Sequence, residues 1–318
     1  MLKTIFAVVA AMAPFLAHGQ EYPSRDIRSI CNFAPGSGAD IIVRFYSDRL
    51  SKLAGKPVVV DNKPGANGSI ATAELAKARP DGHTIMITPA SSTIASAPYM
   101  YKNLPFDTTK DFAAVTTIAS LSFVILVDAQ KPIHNLKELV AELKKKPNDG
   151  FYGTSNNTGV IAAEIFKAKA GLQTTYAPYK TNVQALTDLL QGQLDFISYD
   201  ATWAAGQVKG GKIRPIAATA SRRSVAFPDV PTFAEQGFGD ADVTPWWGVV
   251  VPAGTPKPIV DKLAGWMNEI THQQETRTFL AHAAFDPFPG SPEQMSELLK
   301  SDAARWKSYV EMAKIQPQ

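Results

Sequence analysis

Short apolar runs alternate with helix-length amphipathic stretches along almost the whole chain, and this alternation restricts the fold more than any other feature. IRSICNF (27–33) predicts a strand, and residues 39–54 predict a helix with Ile41, Ile42, Phe45, Leu50 and Leu53 available for burial. KPVVVDN (56–62) predicts the next strand, 69–78 the next helix and TIMIT (84–88) a third strand. Strands this short, separated by helices, indicate parallel βαβ units.

The pattern restarts further on. FVILVD (123–128) predicts a strand, 135–146 a helix, GFYGTS (150–155) a strand and 159–170 a helix ended by Gly171. TTYAPY (174–179), a helix over 183–191, LDFISYD (194–200), a helix over 202–209 and IRPIAAT (213–219) continue the series. A Pro- and Gly-rich stretch (221–242), the strand WWGVVVP (246–252) and two long helices (about 256–281 and 291–314) close the chain. Two series with a late strand predict two α/β domains: 20–121 plus 242–318 form the first and 122–241 the second.

Composition removes other classes. The 318 residues are 45% hydrophobic and carry a net charge of +3, and the longest basic run is Lys144–Lys146, so nucleic-acid binding is not expected. MLKTIFAVVAAMAPFLAHGQ has one lysine, an apolar stretch from Ile5 to Ala17 and small residues at 17 and 19, which predicts a signal peptide over 1–19 cleaved before Gln20. Cys31 is the only cysteine, so no intrachain disulfide forms, and an exported chain without disulfides points to a bacterial periplasm.

Ligands of open α/β sheets bind at the carboxyl ends of strands, where loops lead into helices. The first such loop is NFAPGSGAD (32–40). Ser37 is placed to cap the helix with Asp40 three residues on, and Gly36 and Gly38 allow close backbone approach. The free N–H groups of a helix start favour an anion, with Asp40 keeping a ligand carboxylate at water distance. Taken alone, the loop suits a capped turn and an anion site equally.

GTSNNTG (153–159) repeats the theme. Thr154, Ser155, Asn156, Asn157 and Thr158 are five polar uncharged residues in a row, where a cap needs one. TPASSTIAS (88–96) adds Ser91 and Ser92, and SYDATW (198–203) adds Asp200 with Trp203. Four hydroxyl-rich loops at equivalent strand ends predict a cleft that holds a polar, anionic small molecule. Phe33, Ala34, Gly36, Ser37, Gly38, Asp40, Ser91, Ser92, Thr154–Thr158 and Asp200 are its candidate contacts. Arg44 and Lys180, the nearest cations, are expected to face solvent or a structural partner. Of Trp246 and Trp247, one is expected to reach the cleft and the other the core, since adjacent strand residues face opposite ways.

Catalytic patterns are lacking. GSGAD matches neither G-x-S-x-G nor G-x-G-x-x-G, and there is no phosphate-binding loop ending in G-K-[ST]. The five histidines, at 18, 83, 134, 272 and 282, have no metal-ligand spacing, so no metal and no cofactor are expected. An α/β hydrolase remains the alternative of another class, and it needs a base beside Ser37, Ser91 or Ser155.

YPSRDIRSICNFAPGSGADIIVR, GKPVVVDNKPGANGSIA, AKARPDGHTIMI, APYKTNVQALTDLLQGQLDF, GKIRPIAATASRRS, FPDVPTFAEQG and VVPAGTPKPIVDKL together resemble the substrate-binding receptors of tripartite tricarboxylate transporters, the Bug receptors. The resemblance spans nearly all of the chain after residue 20. It implies a periplasmic binding protein fold of type II character, two α/β domains closing on a ligand, no catalysis and delivery of a carboxylated solute to membrane subunits by a monomer. It also implies that 33–40 grips the carboxylate through water and 153–158 through backbone and hydroxyl donors. A solute sensor feeding a signalling system is compatible with the same features. Asn32, Ala34, Ser37 and Ala39 depart from the usual P-F-P-P-G-G-G-[TS]-D loop and mark where substrate preference would differ.

Overall fold

A computed structural model describes residues 22–239, 242–313 and 315–317; the predicted signal peptide lies outside them. The order is β1 Ile27–Cys31, α1 Gly38–Ala54, β2 Val58–Asn62, α2 Ser69–Ala76, β3 Thr84–Thr88, α3 Ala97–Met100 and β4 Phe112–Ser120. There follow β5 Phe123–Asp128, α4 Leu136–Leu143, β6 Phe151–Thr154, α5 Asn157–Ala170, β7 Thr175–Pro178, α6 Asn182–Leu190, β8 Phe196–Asp200, α7 Ala201–Lys209 and β9 Ile213–Ala218. The chain ends with β10 Trp246–Pro252, α8 Lys257–His272, α9 Gln274–His282, β11 Asp286–Pro287 and α10 Pro292–Met312.

Two sheets result, ordered β11-β4-β10-β3-β1-β2 and β7-β6-β8-β5-β9. Each is covered by helices on both faces. Ile42, Val43, Tyr46 and Leu50 of α1 pack with Leu263 and Met267 of α8 on one face of the first sheet. Ala71 and Leu75 of α2 and Met295 of α10 meet Ile30, Met86 and Val250 on the other. Ile161 and Phe166 of α5 cover one face of the second sheet, and Leu186 and Leu189 of α6 the other. Each fully buried Leu, Ile or Phe contributes roughly 1.5–3 kcal/mol, so the faces hold the fold and the loops at the strand ends need contribute little.

The sheets are mixed where the sequence predicts parallel units throughout. β1, β2 and β3 are parallel, as are β6, β7 and β8, but β10 runs against β3 and β4. The cause is the crossover. Only Leu121 and Ser122 separate β4 from β5, so β5 starts at the end where β4 stops and runs against β8 and β9. The second crossover lies alongside, Leu121 N–H donating to the Pro245 carbonyl at 2.8 Å. Ser120 faces Trp246 in register, and Phe123 faces Asp200, so the helix-leading ends of β3 and β8 both flank the crossover.

Three further differences have physical causes. β4, FAAVTTIAS, is rich in small and hydroxyl residues and gives no apolar run, yet six of its nine residues are buried between neighbours. The helix expected over 256–281 is two, because Gln273 takes extended backbone (ψ 139°), which lets Phe279 of α9 stack on Phe45 at 3.8 Å. Trp246 and Trp247 do face opposite sides, but both are buried, one against Ile30 and Met86 and the other beside Phe33. Trp246 is held by its indole N–H donating to Asp302 of α10.

Candidate functional site

The loop between β1 and α1 is built around a buried carboxylate. Ser37 caps α1, its Oγ accepting from Asp40 N–H at 3.2 Å. Asp40 does not complete a capping box with Ser37. Its Oδ2 accepts from Gly36 N–H at 2.8 Å and from Arg44 Nε at 2.8 Å, while its Oδ1 accepts from Asn62 Nδ2 at 2.7 Å. Burial opposes ionisation of Asp40, but the hydrogen bonds from Arg44, Asn62 and Gly36 outweigh it and hold the carboxyl down at about 2. Arg44 therefore spends its charge inside the loop.

Gly36 (φ 79°) turns the chain in the left-handed region that glycine tolerates. The first helical N–H groups, those of Gly38 and Ala39, have no acceptor within the helix, as at any helix start. Ser37→Ala should cost about 1 kcal/mol in denaturant unfolding through the lost cap, with little change in the loop's carboxylate network.

Asn62, at the end of β2, also donates to the Phe33 carbonyl at 2.9 Å and accepts from Arg44. Sequence reasoning did not single it out; its place at a strand end in VVVDNKPG is the only signal. Phe33 is half-buried and stacks on Trp247, centroids 5.6 Å apart, and Ala34 beside it is exposed. Asn32 is buried, accepts from Thr88 Oγ1 at 3.2 Å and lies against Gly68, where a Cβ would sit 2.8 Å from its amide nitrogen.

The loop between β6 and α5 contrasts with it. Asn156 caps α5, accepting from Gly159 N–H at 2.8 Å, and Thr154 is fully buried beneath. Ser155 donates to Asn182, at the start of α6, tying the two neighbouring loops together. Asn157 and Thr158, in the first turn of α5, are partly exposed and their side chains make no hydrogen bond within the described residues. One loop is thus internally satisfied around a charge, and the other presents uncharged donors at a helix N-terminus.

The remaining candidates divide. Ser91 is fully buried and its Oγ accepts from Trp246 N–H at 3.1 Å, so it pins β10 and does not line a surface. Ser92 is exposed and donates to the Pro89 carbonyl at 3.1 Å. Asp200 caps α7 through Trp203 N–H at 2.9 Å and lies in register with Phe123 at the crossover. No histidine bonds to Ser37, Ser91 or Ser155 among the described residues; His83 is engaged with Ser24 and Asp81, and His272 with Asn268.

A family model described as the tripartite tricarboxylate transporter family receptor matches residues 42–315. The chain belongs to that family. A UPF0065 protein of Bordetella bronchiseptica is 33% identical to the receptor over 313 residues, 98% of this chain and 92% of that one. Among solved structures, R. palustris Rpa4515 with adipate is 28% identical with a TM-score of 0.73, covering 94% of this chain and 100% of that one. MatC from Rhodopseudomonas palustris with bound malate is 26% identical with a TM-score of 0.68, over 91% and 100% of the two chains. The receptor is a solute-binding protein and not an enzyme. No helix among its described residues is long and apolar enough to cross a membrane.

Proposed function

We propose that the receptor captures a small carboxylate between the loops 33–40 and 153–158 and delivers it to the membrane subunits of a tripartite tricarboxylate-type transporter. The observation that carries this reading is that the two helix starts follow β1 and β6, which run parallel beside β3 and β8, the strands whose ends flank the crossover. One is rigidified by Asp40, Asn62 and Arg44; the other offers Asn157 and Thr158, with Ser155 bracing it against Asn182. Adipate and malate, the ligands of two similar structures, are both carboxylates.

The two units, 20–121 with 242–318 and 122–241, close about the crossovers near 121 and 245. A ligand favours the closed form only through contacts it makes to both units. Asp40 repels a carboxylate placed directly against it, so the first loop holds the ligand through Gly38 and Ala39 N–H groups or water. The second loop donates directly. The chain is exported by cleavage of residues 1–19 and works in the periplasm as a monomer.

Asn157→Ala and Thr158→Val should each weaken carboxylate binding by about 1–2 kcal/mol, each losing one hydrogen bond to a charged group. Isothermal calorimetry reads the change, and unaltered affinity in both variants would remove loop 153–158 from the site. Solute uptake in a strain deleted for the receptor separates transport from signalling: uptake lost on deletion supports delivery, and uptake retained contradicts it.

A further inference from the structure

A groove of about 640 Å³ runs between α9 and the loop that follows β9, with β11 at one end. Arg222 and Arg223 enter it from the loop, and Arg277 and His282 from the helix. Asp286 is the one carboxylate among its described lining residues; it is buried and already accepts from Val225 N–H at 2.8 Å.

Internal pairing leaves this charge largely unspent. Arg223 pairs with Glu235, but Arg222 donates only to the Pro287 carbonyl, at 2.9 Å, and feels Asp286 at longer range. The exposed Arg277 side chain has no hydrogen-bond or ion-pair partner among the described residues. Some exposed cations elsewhere sit against carboxylates, as Arg25 does with Asp81, and others such as Arg79 stand unpaired among the described residues but singly, whereas here Arg222 and Arg277 line one groove. On a chain of net charge +3, a trough with unspent guanidinium on two facing walls is a local concentration of positive charge.

We infer that this groove is a docking site for an extended acidic peptide segment of a protein partner, its carboxylates met by Arg222 from one wall and Arg277 from the other. Guanidinium forks match carboxylates bidentately. A trough charged on opposing walls suits a narrow chain, whereas a bilayer would meet a flat basic face. The walls come from different units: the 221–225 loop follows β9 of the second sheet, while β11 pairs with β4 of the first. Arg222 and Val225 of that loop bond to Pro287 and Asp286 of β11, so the groove is a tied seam between the two units that a partner can engage in either state. The choice of partner rests on the receptor reading above: the membrane subunits are the natural bearers of the segment.

The test is fluorescence anisotropy of a labelled Glu-Gly repeat peptide, with a Gln-Gly repeat as control, against the mature protein. The Glu-Gly peptide should bind, weaken with added salt, and lose about tenfold or more in affinity with Arg222→Glu or Arg277→Glu, while Gln-Gly does not bind. Arg277→Gln, a milder change, should lie between. Circular dichroism and carboxylate titration of the same variants establish that fold and cleft are intact. Equal affinity of wild type and the charge-reversed variants overturns the proposal, as does absence of Glu-Gly binding. Preference for phosphatidylglycerol vesicles over the peptide overturns it in favour of a membrane surface. Failure of wild type to bind any carboxylate would instead strike at the receptor reading and leave the peptide result standing.

Discussion

Alanine at position 159 should destabilise the receptor and abolish tight ligand binding, although glycine-to-alanine changes inside helices ordinarily stabilise by up to about 1 kcal/mol. Gly159 lies in the first turn of α5, and a Cβ there would sit 2.3 Å from Thr154 Oγ1 and 2.5 Å from the Ser198 carbonyl oxygen. The second contact is with backbone of β8 and cannot swing aside. Relief requires the start of α5 to lift from the sheet, carrying Asn157 and Thr158 with it. Overpacking of this kind costs about 1–3 kcal/mol in stability. The displaced donors should lower carboxylate affinity by at least about tenfold, as the loss of one charged hydrogen bond would. A rise in unfolding midpoint for Gly159→Ala would show that the helix start is looser than its packing implies.

Removing the Asp40 carboxylate should have the largest effect on the other loop. Asp40→Ala deprives Gly36, Asn62 and Arg44 of their common acceptor and leaves the loop without its tether. Hydrogen bonds to a buried charge are worth about 1.5–3 kcal/mol each. Arg44 is half exposed and regains water, so the sum is discounted to about 3 kcal/mol in denaturant unfolding at pH 7. The pH dependence has a definite sign. A carboxyl held down at about 2 stabilises the fold above its unfolded value of ~3.9, and that stabilisation is lost as pH falls through the folded value. The stability gap between wild type and Asp40→Ala should thus narrow as pH drops from about 4 toward 2. A gap that is small at pH 7, or constant with pH, would contradict the role given to this carboxylate.

Local features of the site were legible in the sequence, and long-range ones were not. Ser37, Asn156 and Asp200 are caps whose partners lie three residues along the chain, so a short stretch suffices to expect them. Asn62 reaches Asp40 across 22 residues and Ser155 reaches Asn182 across 27, and no window of sequence shows such pairings. Ser91 illustrates the opposite error. Its hydroxyl looks available in TPASSTIAS, but tertiary packing brings Trp246 N–H onto it and buries it. In the fold, helices and apolar strands follow from periodicity. β4 does not, because its hydroxyl and alanine residues are buried by neighbours and not by their own hydrophobicity. The direction of β5 depends on a two-residue crossover, which fixes topology without any pattern of its own.

The central claim is that the two helix starts clamp one carboxylate. Calorimetric titration of the mature protein with a panel of mono-, di- and aromatic carboxylates, repeated with Thr158→Val, addresses it most directly. The account predicts saturable one-to-one binding of at least one member, weakened in the variant by about 1–2 kcal/mol. Absence of binding across the panel by a folded protein, or binding indifferent to the variant, would contradict it.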